Sequence, residues 1–192
     1  MRAPGPGPRE EVEVKLAAPD LSVVREGLRA AGATQHSPLH DEINDLYDDP
    51  QRTLSRSGRT IRLRRAAGRT ILTFKGLARF QGSVKTREER EVDVSDAGEA
   101  EGILAGLGLE RRFRYEKRRE EWDFQGCVVA LDETPIGTFI EVEGDPPSIR
   151  KVFLALDLDF TEAIPYSYAE LYLRRRKDDP SLPHDMVWTR DP

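Results

Sequence analysis

Cysteine and aromatic residues are scarce in this chain, and a long apolar run is missing. Its 192 residues contain one cysteine, Cys127. An intrachain disulfide and a cysteine zinc centre are both excluded, which suits a reducing, cytoplasmic setting. No segment approaches the roughly 20 consecutive apolar residues of a membrane-crossing helix. Met1 to Arg9 is rich in Pro and Gly and has no apolar stretch. It does not read as a signal peptide and is expected to be a disordered N-terminal tail. Aromatics are 7% of the chain and the net charge is −5. An RNA-binding barrel needs a basic groove with exposed aromatics, so nucleic acid is not the expected partner. The glycine-rich loop of P-loop proteins is also missing, so any phosphate must be captured by side chains.

Charge is what the chain has in abundance, at 34% of residues. Alternation shows where much of it goes. In Glu11-Val12-Glu13-Val14-Lys15 a strand would place both carboxylates and the ammonium on one face and the valines on the other. Further strands are expected at 40–47, 60–65, 70–75, 84–94, 113–124, 127–132 and 138–143. Their charged faces carry Arg62 and Arg64; Lys85, Arg87, Glu89 and Glu91; Lys117 and Arg119; and Glu141 and Glu143. Helices are expected from Asp20 to Gly32, after Asp96 up to Gly108, from Pro147, and from Ser167 to Lys177. Residues 48–58 and 77–83 read as a turn and a loop. A strand and capped helix appear once after Glu11 and again after Glu89, a faint internal repeat. One domain, 10–177, is expected, with 178–192 as a C-terminal tail.

A sheet with one solvated face would explain the alternation. The helices favour another arrangement, because they need the valine faces to cover. If the sheet then closes, the charged faces become a barrel interior, and about eight strands leave room for one small ligand. Such an interior must neutralise itself or bind something of complementary charge. Paired carboxylates suit a hard divalent cation, and arginines and lysines suit phosphate oxygens. A metal–polyphosphate complex satisfies both.

At these residues the chain resembles the CYTH superfamily, the triphosphate tunnel metalloenzymes. The resemblance runs from about Glu10 to about Tyr172 and begins with the family's ExExK motif at Glu11, Glu13 and Lys15. Tyr47-Asp48, Arg62-x-Arg64, Thr73-Phe74-Lys75-Gly76, Arg87-x-Glu89-x-Glu91 and Lys117-x-Arg119 follow in the family's order. Asp132, Gly137-x-Phe139-x-Glu141-x-Glu143 and Ser167-Tyr168-x-Glu170-Leu171 complete it. The resemblance implies an α+β fold, a closed eight-stranded antiparallel β-barrel forming a tunnel with amphipathic helices packed outside.

It also implies Mg²⁺ or Mn²⁺ held by Glu11, Glu13, Asp132, Glu141 and Glu143. Lys15, Arg62, Arg64, Lys75, Arg87, Lys117 and Arg119 would bind a small-molecule triphosphate, and Glu11, Glu13, Lys15, Glu141 and Glu143 would form the catalytic set. Glu89, Glu91 and Tyr47 would support them. Tyr47-Asp48-x-Pro50-x-Arg52 and Lys85-x-Arg87-Glu88-Glu89 lean toward the class IV adenylate cyclase-like group, which turns ATP into cyclic AMP and pyrophosphate. An inorganic tripolyphosphatase, a thiamine triphosphatase and a non-catalytic polyphosphate- or nucleotide-binding module are the alternatives. A homodimer is left open. Arg65, Arg118, Arg174, Arg175 and Arg176 read as surface. His36, His40 and His184 read as having no metal role. Trp122, Phe139 and Cys127 read as structural.

Overall fold

The computed structural model describes residues 9–189. Met1 to Pro8, nearly all of the expected N-terminal tail, lie outside them. The elements run β1 (Arg9–Ala17), α1 (Leu21–Ala30), β2 (Thr34–Asp48), the single-turn α2 (Thr53–Arg56), β3 (Thr60–Ala66) and β4 (Arg69–Lys75). They continue with β5 (Arg79–Gln81), β6 (Val84–Val94), α3 (Ala97–Gly106), β7 (Glu110–Phe124), β8 (Cys127–Thr134), β9 (Gly137–Glu143), α4 (Pro146–Ala155) and α5 (Tyr168–Asp178). The sheet order is β1-β9-β8-β7-β2-β3-β4-β6-β5, and β1 also pairs with β6. That last pairing closes eight antiparallel strands into a barrel. The short β5 lies beyond β4 on the same edge of β6, at Val84 to Thr86, while β1 takes the other edge at Lys85 to Glu89.

The helix starts follow local chemistry. Asp20, Asp96 and Asp145 each accept backbone N–H bonds from the first turn of α1, α3 and α4. Ser167 and Glu170 form a reciprocal capping box at α5. The apolar stripes then choose their sites. Leu21 and Leu28 of α1 and Ile149, Val152 and Phe153 of α4 pack on the outward valine and leucine faces of β1, β8 and β9. Ala100 and Leu104 of α3 cover Leu63 and Tyr47. These helices lie outside the barrel, as the patterning predicts.

Helix α5 does something different. Its Tyr168 and Tyr172 pack with Phe113, Tyr115 and Phe139, residues on the inward face of β7 and β9. It therefore stoppers part of the interior. The segment after it, set apart by sequence as a tail, completes that stopper. Met186 is fully buried in the aromatic cluster. Its N–H donates to the Arg114 carbonyl at 2.9 Å and its carbonyl accepts from the Glu116 N–H at 2.9 Å. The Tyr172 hydroxyl donates to the Pro183 carbonyl at 2.9 Å.

Some boundaries differ from the sequence reading. β2 begins at Thr34, ahead of His40, and its pairing with β7 shifts register between Gln35 and Ser37 and again between Ser37 and His40. Pro38 sits in that irregularity, where its missing N–H does least harm. The bulges break the alternation that would have revealed the strand. The expected turn at 48–58 contains α2, because the Asp48 carboxylate accepts the backbone N–H groups of Asp49, Leu54 and Ser55. The expected loop at 77–83 contains β5. No helix among the described residues is long and apolar enough to cross a membrane.

The packed tail makes a stability prediction. Met186→Ala should cost about 2–5 kcal/mol, read by denaturant or thermal unfolding. Leu154→Ala, at a residue 85% exposed, should stay within about 0.5 kcal/mol. Equal, small effects for both would mean that the tail does not pack on the barrel in solution.

Candidate active site

Alternation turns the charged faces inward around a cavity of about 1400 Å³. Its lining includes Glu11, Glu13, Lys15, Arg62, Arg64, Lys75, Lys85, Arg87, Glu89, Glu91, Lys117, Arg119, Glu141 and Glu143. Register explains how strands distant in sequence meet here. Glu13 lies opposite Glu143 and Lys15 opposite Glu141 across β1 and β9, while Glu11 faces Arg87 and Glu13 faces Lys85 across β1 and β6.

Buried charges need partners, and most have them at short range. Glu11 accepts from Lys75 Nζ at 2.7 Å and Arg87 Nε at 2.7 Å. Burial alone would raise its pKa; those two cations more than offset it and hold the carboxyl well below the usual range. Glu13 pairs with Lys85 at 2.7 Å. Glu141 pairs with Lys15 at 3.1 Å and with Arg119. Lys15 also donates to the Tyr166 carbonyl at 3.1 Å and lies 3.9 Å from the centroid of the Tyr168 ring. Lys75 makes a second pair, with Glu89 at 3.1 Å.

Two guanidiniums are held much more loosely. Arg62 is 3.3 Å from Glu91 and 3.7 Å from Glu89. Arg64 is 3.5 Å from Glu91 and 3.8 Å from Glu42. The Nε of each is buried and has no hydrogen-bond acceptor among the described residues. Both side chains line the cavity with under-used donors, and a planar fork of this kind matches phosphate oxygens.

Two sequence expectations, for Asp132 and Tyr47, look different in space, whereas Cys127 packs structurally as expected. Asp132 is fully buried and its carboxylate is saturated. It accepts from Arg119 Nε at 2.7 Å and Nη2 at 2.6 Å, from Lys117 Nζ at 3.1 Å and from the Tyr168 hydroxyl at 2.6 Å. That geometry fixes Arg119 and Lys117 in place and leaves little room for a cation. Tyr47 packs outside the barrel wall beneath α3, with Leu63, Ala100 and Leu104. Cys127 packs in the wall: a Cβ added at Gly144 would come 2.6 Å from its Sγ, and burial pushes the thiol up to about 11.

Other interior groups were not singled out as site residues. Glu42 is buried between Lys117, at 3.5 Å, and His40, at 3.6 Å. His40, Glu42 and Asn44 alternate, which was the available signal, but the β2 bulges shortened the pattern. Tyr115 stands 3.4 Å from Arg62. Burial would raise its pKa, yet Arg62 and Lys117 bring it below the usual phenol range. Tyr168 is shifted the other way, by burial and by Asp132 and Glu141, and stays a donor.

For a cation, the relevant groups are Glu11, Glu13, Glu141 and Glu143. Among the described residues no three His, Cys, Asp or Glu side chains converge as a ready cage. The carboxylates point instead at Lys75, Arg87, Lys85, Lys15 and Arg119. Glu143 has no ion-pair partner among the described residues. It is open to solvent on one side. The surrounding protein nevertheless removes enough water, and Glu11, Glu89 and Glu13 add enough repulsion against Lys75, to push its pKa up to about 7. An all-carboxylate set with one unpaired member, Glu143, strained by its acidic neighbours has the donor chemistry that fits a hard divalent cation such as Mg²⁺ or Mn²⁺.

The strain on Glu143 carries a sign. Glu143 binds its proton more tightly folded than unfolded, so the metal-free protein should lose stability as pH rises through the window from the model-peptide value of 4.5 to about 7. Glu143→Gln should flatten that slope in chelator-treated protein, measured as unfolding free energy against pH. An unchanged slope would mean that Glu143 is not strained by its neighbours.

Known proteins match this geometry. The model of the CYTH domain family matches residues 9–188. A Methanocaldococcus jannaschii protein named “putative adenylate cyclase” is 27% identical over 173 residues, spanning 84% of this chain and 97% of its own. Two solved structures share the fold. A “putative adenylate cyclase” of Vibrio parahaemolyticus superposes with a TM-score of 0.75 at 19% identity, covering 87% of this chain and 99% of its own. A Hippeastrum protein described as a “putative adenylyl cyclase” with a dominant triphosphatase activity gives 0.66 at 19% identity, covering 86% and 96%. With its closed barrel and its tunnel of opposed charges, the chain belongs to the CYTH domain family.

Proposed function

We propose that the protein is a divalent-metal-dependent enzyme acting on a small-molecule triphosphate in the cytoplasm, adenylate cyclase-like in its chemistry. One observation carries the proposal: Arg62 and Arg64 face the cavity with unfilled buried donors, across from the carboxylates of β1 and β9. An anion of high charge density would draw these guanidiniums away from Glu89, Glu91 and Glu42 at little cost, because those contacts are already long. Lys117 and Arg119, held by Asp132, would add further positive charge from fixed positions. Asp132 acts in this reading as a positioning residue for two phosphate-binding cations.

Glu11, Glu13, Glu141 and Glu143 are the groups that would hold Mg²⁺ or Mn²⁺. When bound, the metal neutralises phosphate charge and lowers the pKa of a coordinated hydroxyl. The residues themselves mainly bind and orient, which is most of what phosphoryl and nucleotidyl transfer demands. In the cyclase reaction the ribose 3′-hydroxyl attacks the α-phosphorus, closing the cyclic ester and releasing pyrophosphate. The second reading is hydrolysis, in which water attacks the terminal phosphorus of tripolyphosphate or thiamine triphosphate and orthophosphate leaves. The activity described for the Hippeastrum relative favours keeping it.

The deciding assay is product analysis with Mg²⁺ or Mn²⁺ and, separately, ATP, tripolyphosphate and thiamine triphosphate. Cyclic AMP with pyrophosphate supports the cyclase; orthophosphate supports the triphosphatase. Binding without product would leave a non-catalytic module.

Two sets of variants test the site assignment. Glu11→Gln with Glu13→Gln should reduce turnover by more than about 100-fold. It also unpairs Lys75, Arg87 and Lys85, so Glu143→Gln, which breaks no ion pair, is the cleaner companion and should lose rate in the same direction. Near-native rates for both at saturating metal would sink the metal assignment. Arg62→Ala should raise KM and lower kcat/KM by about 10–100-fold, as expected for a lost charge-assisted phosphate contact. Unchanged kinetics would place Arg62 outside the substrate's path.

A further inference from the structure

The chain has few aromatic rings, and all but one are buried or half-buried among the described residues. The exception is Phe80, which is 51% exposed. An exposed ring alone means little. This one lies in the lining of the tunnel cavity, together with Leu77, which is 65% exposed. Register fixes the face it occupies. Phe80 of β5 lies directly opposite Lys85 of β6, and Lys85 lies opposite Glu13 of β1. Directly opposed residues share a sheet face. Phe80 therefore stands on the tunnel side of the wall, next to the Lys85–Glu13 ion pair.

The segment that carries the ring is anchored at both ends. The Gly76 N–H donates to the Glu88 carbonyl at 2.9 Å, and the Ser83 hydroxyl donates to the Phe160 carbonyl at 2.9 Å. Leu77 leans on the turn at Gly58, where φ is +70°. A Cβ there would meet the Leu77 methyl at 2.5 Å, so the glycine permits this contact. The result is an apolar ledge held beside a highly charged cavity.

A bare polyphosphate has nothing to offer such a ledge, whereas a triphosphate with a planar aromatic head group does. We infer that Phe80, supported by Leu77, is a specificity-determining platform on which the aromatic head group of the triphosphate stacks. This rests on the triphosphate reading above and names the part of the substrate that the charged lining does not address. A head group stacked on Phe80 leaves the adjoining phosphate nearest Lys85 and the β1 carboxylates, and the remaining phosphates lie toward Arg62 and Arg64.

The test is calorimetric binding of ATP, thiamine triphosphate and tripolyphosphate, each with Mg²⁺, to the full chain and to its Phe80→Ala and Phe80→Trp variants. Phe80→Ala should weaken ATP or thiamine triphosphate by roughly ten-fold, the scale of one aromatic–base stack. The ligand that weakens identifies the head group. Tripolyphosphate should change by less than about two-fold, and Phe80→Trp should restore the lost affinity. Equal losses for all three ligands, or no loss for any, would overturn the platform. If no ligand binds the unaltered protein, the triphosphate reading and the platform fall together. If Phe80→Ala discriminates as stated and no product forms, the platform stands and only the enzymatic reading fails.

Discussion

The pairing of β1 with β6 is the constraint on which the rest depends. Once it closes the sheet, every inward-facing residue is committed to a space that water enters only in part. A lone buried carboxylate or ammonium there would cost several kcal/mol even after relaxation. The sequence meets this by placing cations and anions on neighbouring strands, so that closure itself makes the pairs. Glu11 meets Arg87 and Glu13 meets Lys85 across the closing seam. Glu141 meets Lys15 across the next one. Such pairs add little net stability against an apolar interior, yet removing one partner leaves a buried charge exposed to that full cost. The same pairs that keep the closed barrel tolerable are the ones a charged ligand would exchange with.

The pairs are not equally strong, and the differences divide the lining into parts. Arg119 and Lys117 are locked by Asp132, which is itself capped by the Tyr168 hydroxyl. Lys75, Lys85 and Arg87 sit at 2.7 Å from β1 carboxylates. Arg62 and Arg64 are left with contacts beyond 3.2 Å. A ligand therefore meets fixed charges on one side and exchangeable ones on another. Helix α5 and the Met186 segment reinforce the fixed side, since Tyr168 stacks on Lys15 and bonds Asp132 together. A helix that seals the interior thus also aims two of its cations.

Much of this was legible in the chain. Period-two alternation located the charged faces, and Asp20, Asp96 and Ser167 marked helix starts at which the structure shows side-chain caps. What alternation cannot give is partnership. Asp132 reads as one more carboxylate until the tight turn at Gln125-Gly126 sets the β7–β8 register, which brings Arg119 directly opposite it. That register was available from the turn. The burial of Tyr47 under α3 and of Met186 in the aromatic cluster was not, because both depend on contacts between segments far apart in sequence. Glu42 was hidden for a third reason: irregular pairing around Pro38 interrupted the pattern that would have exposed it.

The charged lining also explains why family membership leaves the reaction open. In the proposed reading Arg62, Arg64, Lys117 and Arg119 would recognise phosphate oxygens, and all three phosphates of a triphosphate carry them. Such a lining would fix the chain of phosphates without choosing which phosphorus is attacked. The choice requires a feature that distinguishes one end of the substrate from the other. Charge cannot supply it here, because both signs run along the tunnel wall in alternating pairs. An apolar, planar surface can, since only one end of a nucleoside triphosphate has a matching face. Among the described residues Phe80 is the exposed aromatic ring that lines the cavity, and it adjoins the carboxylate-rich strand β1. An aromatic head group seated there would bring the first phosphorus of the chain, the one attacked in cyclisation, closest to Glu11 and Glu13. The polar lining and the apolar ledge would then divide the work: one to hold the triphosphate, and the other to set its direction.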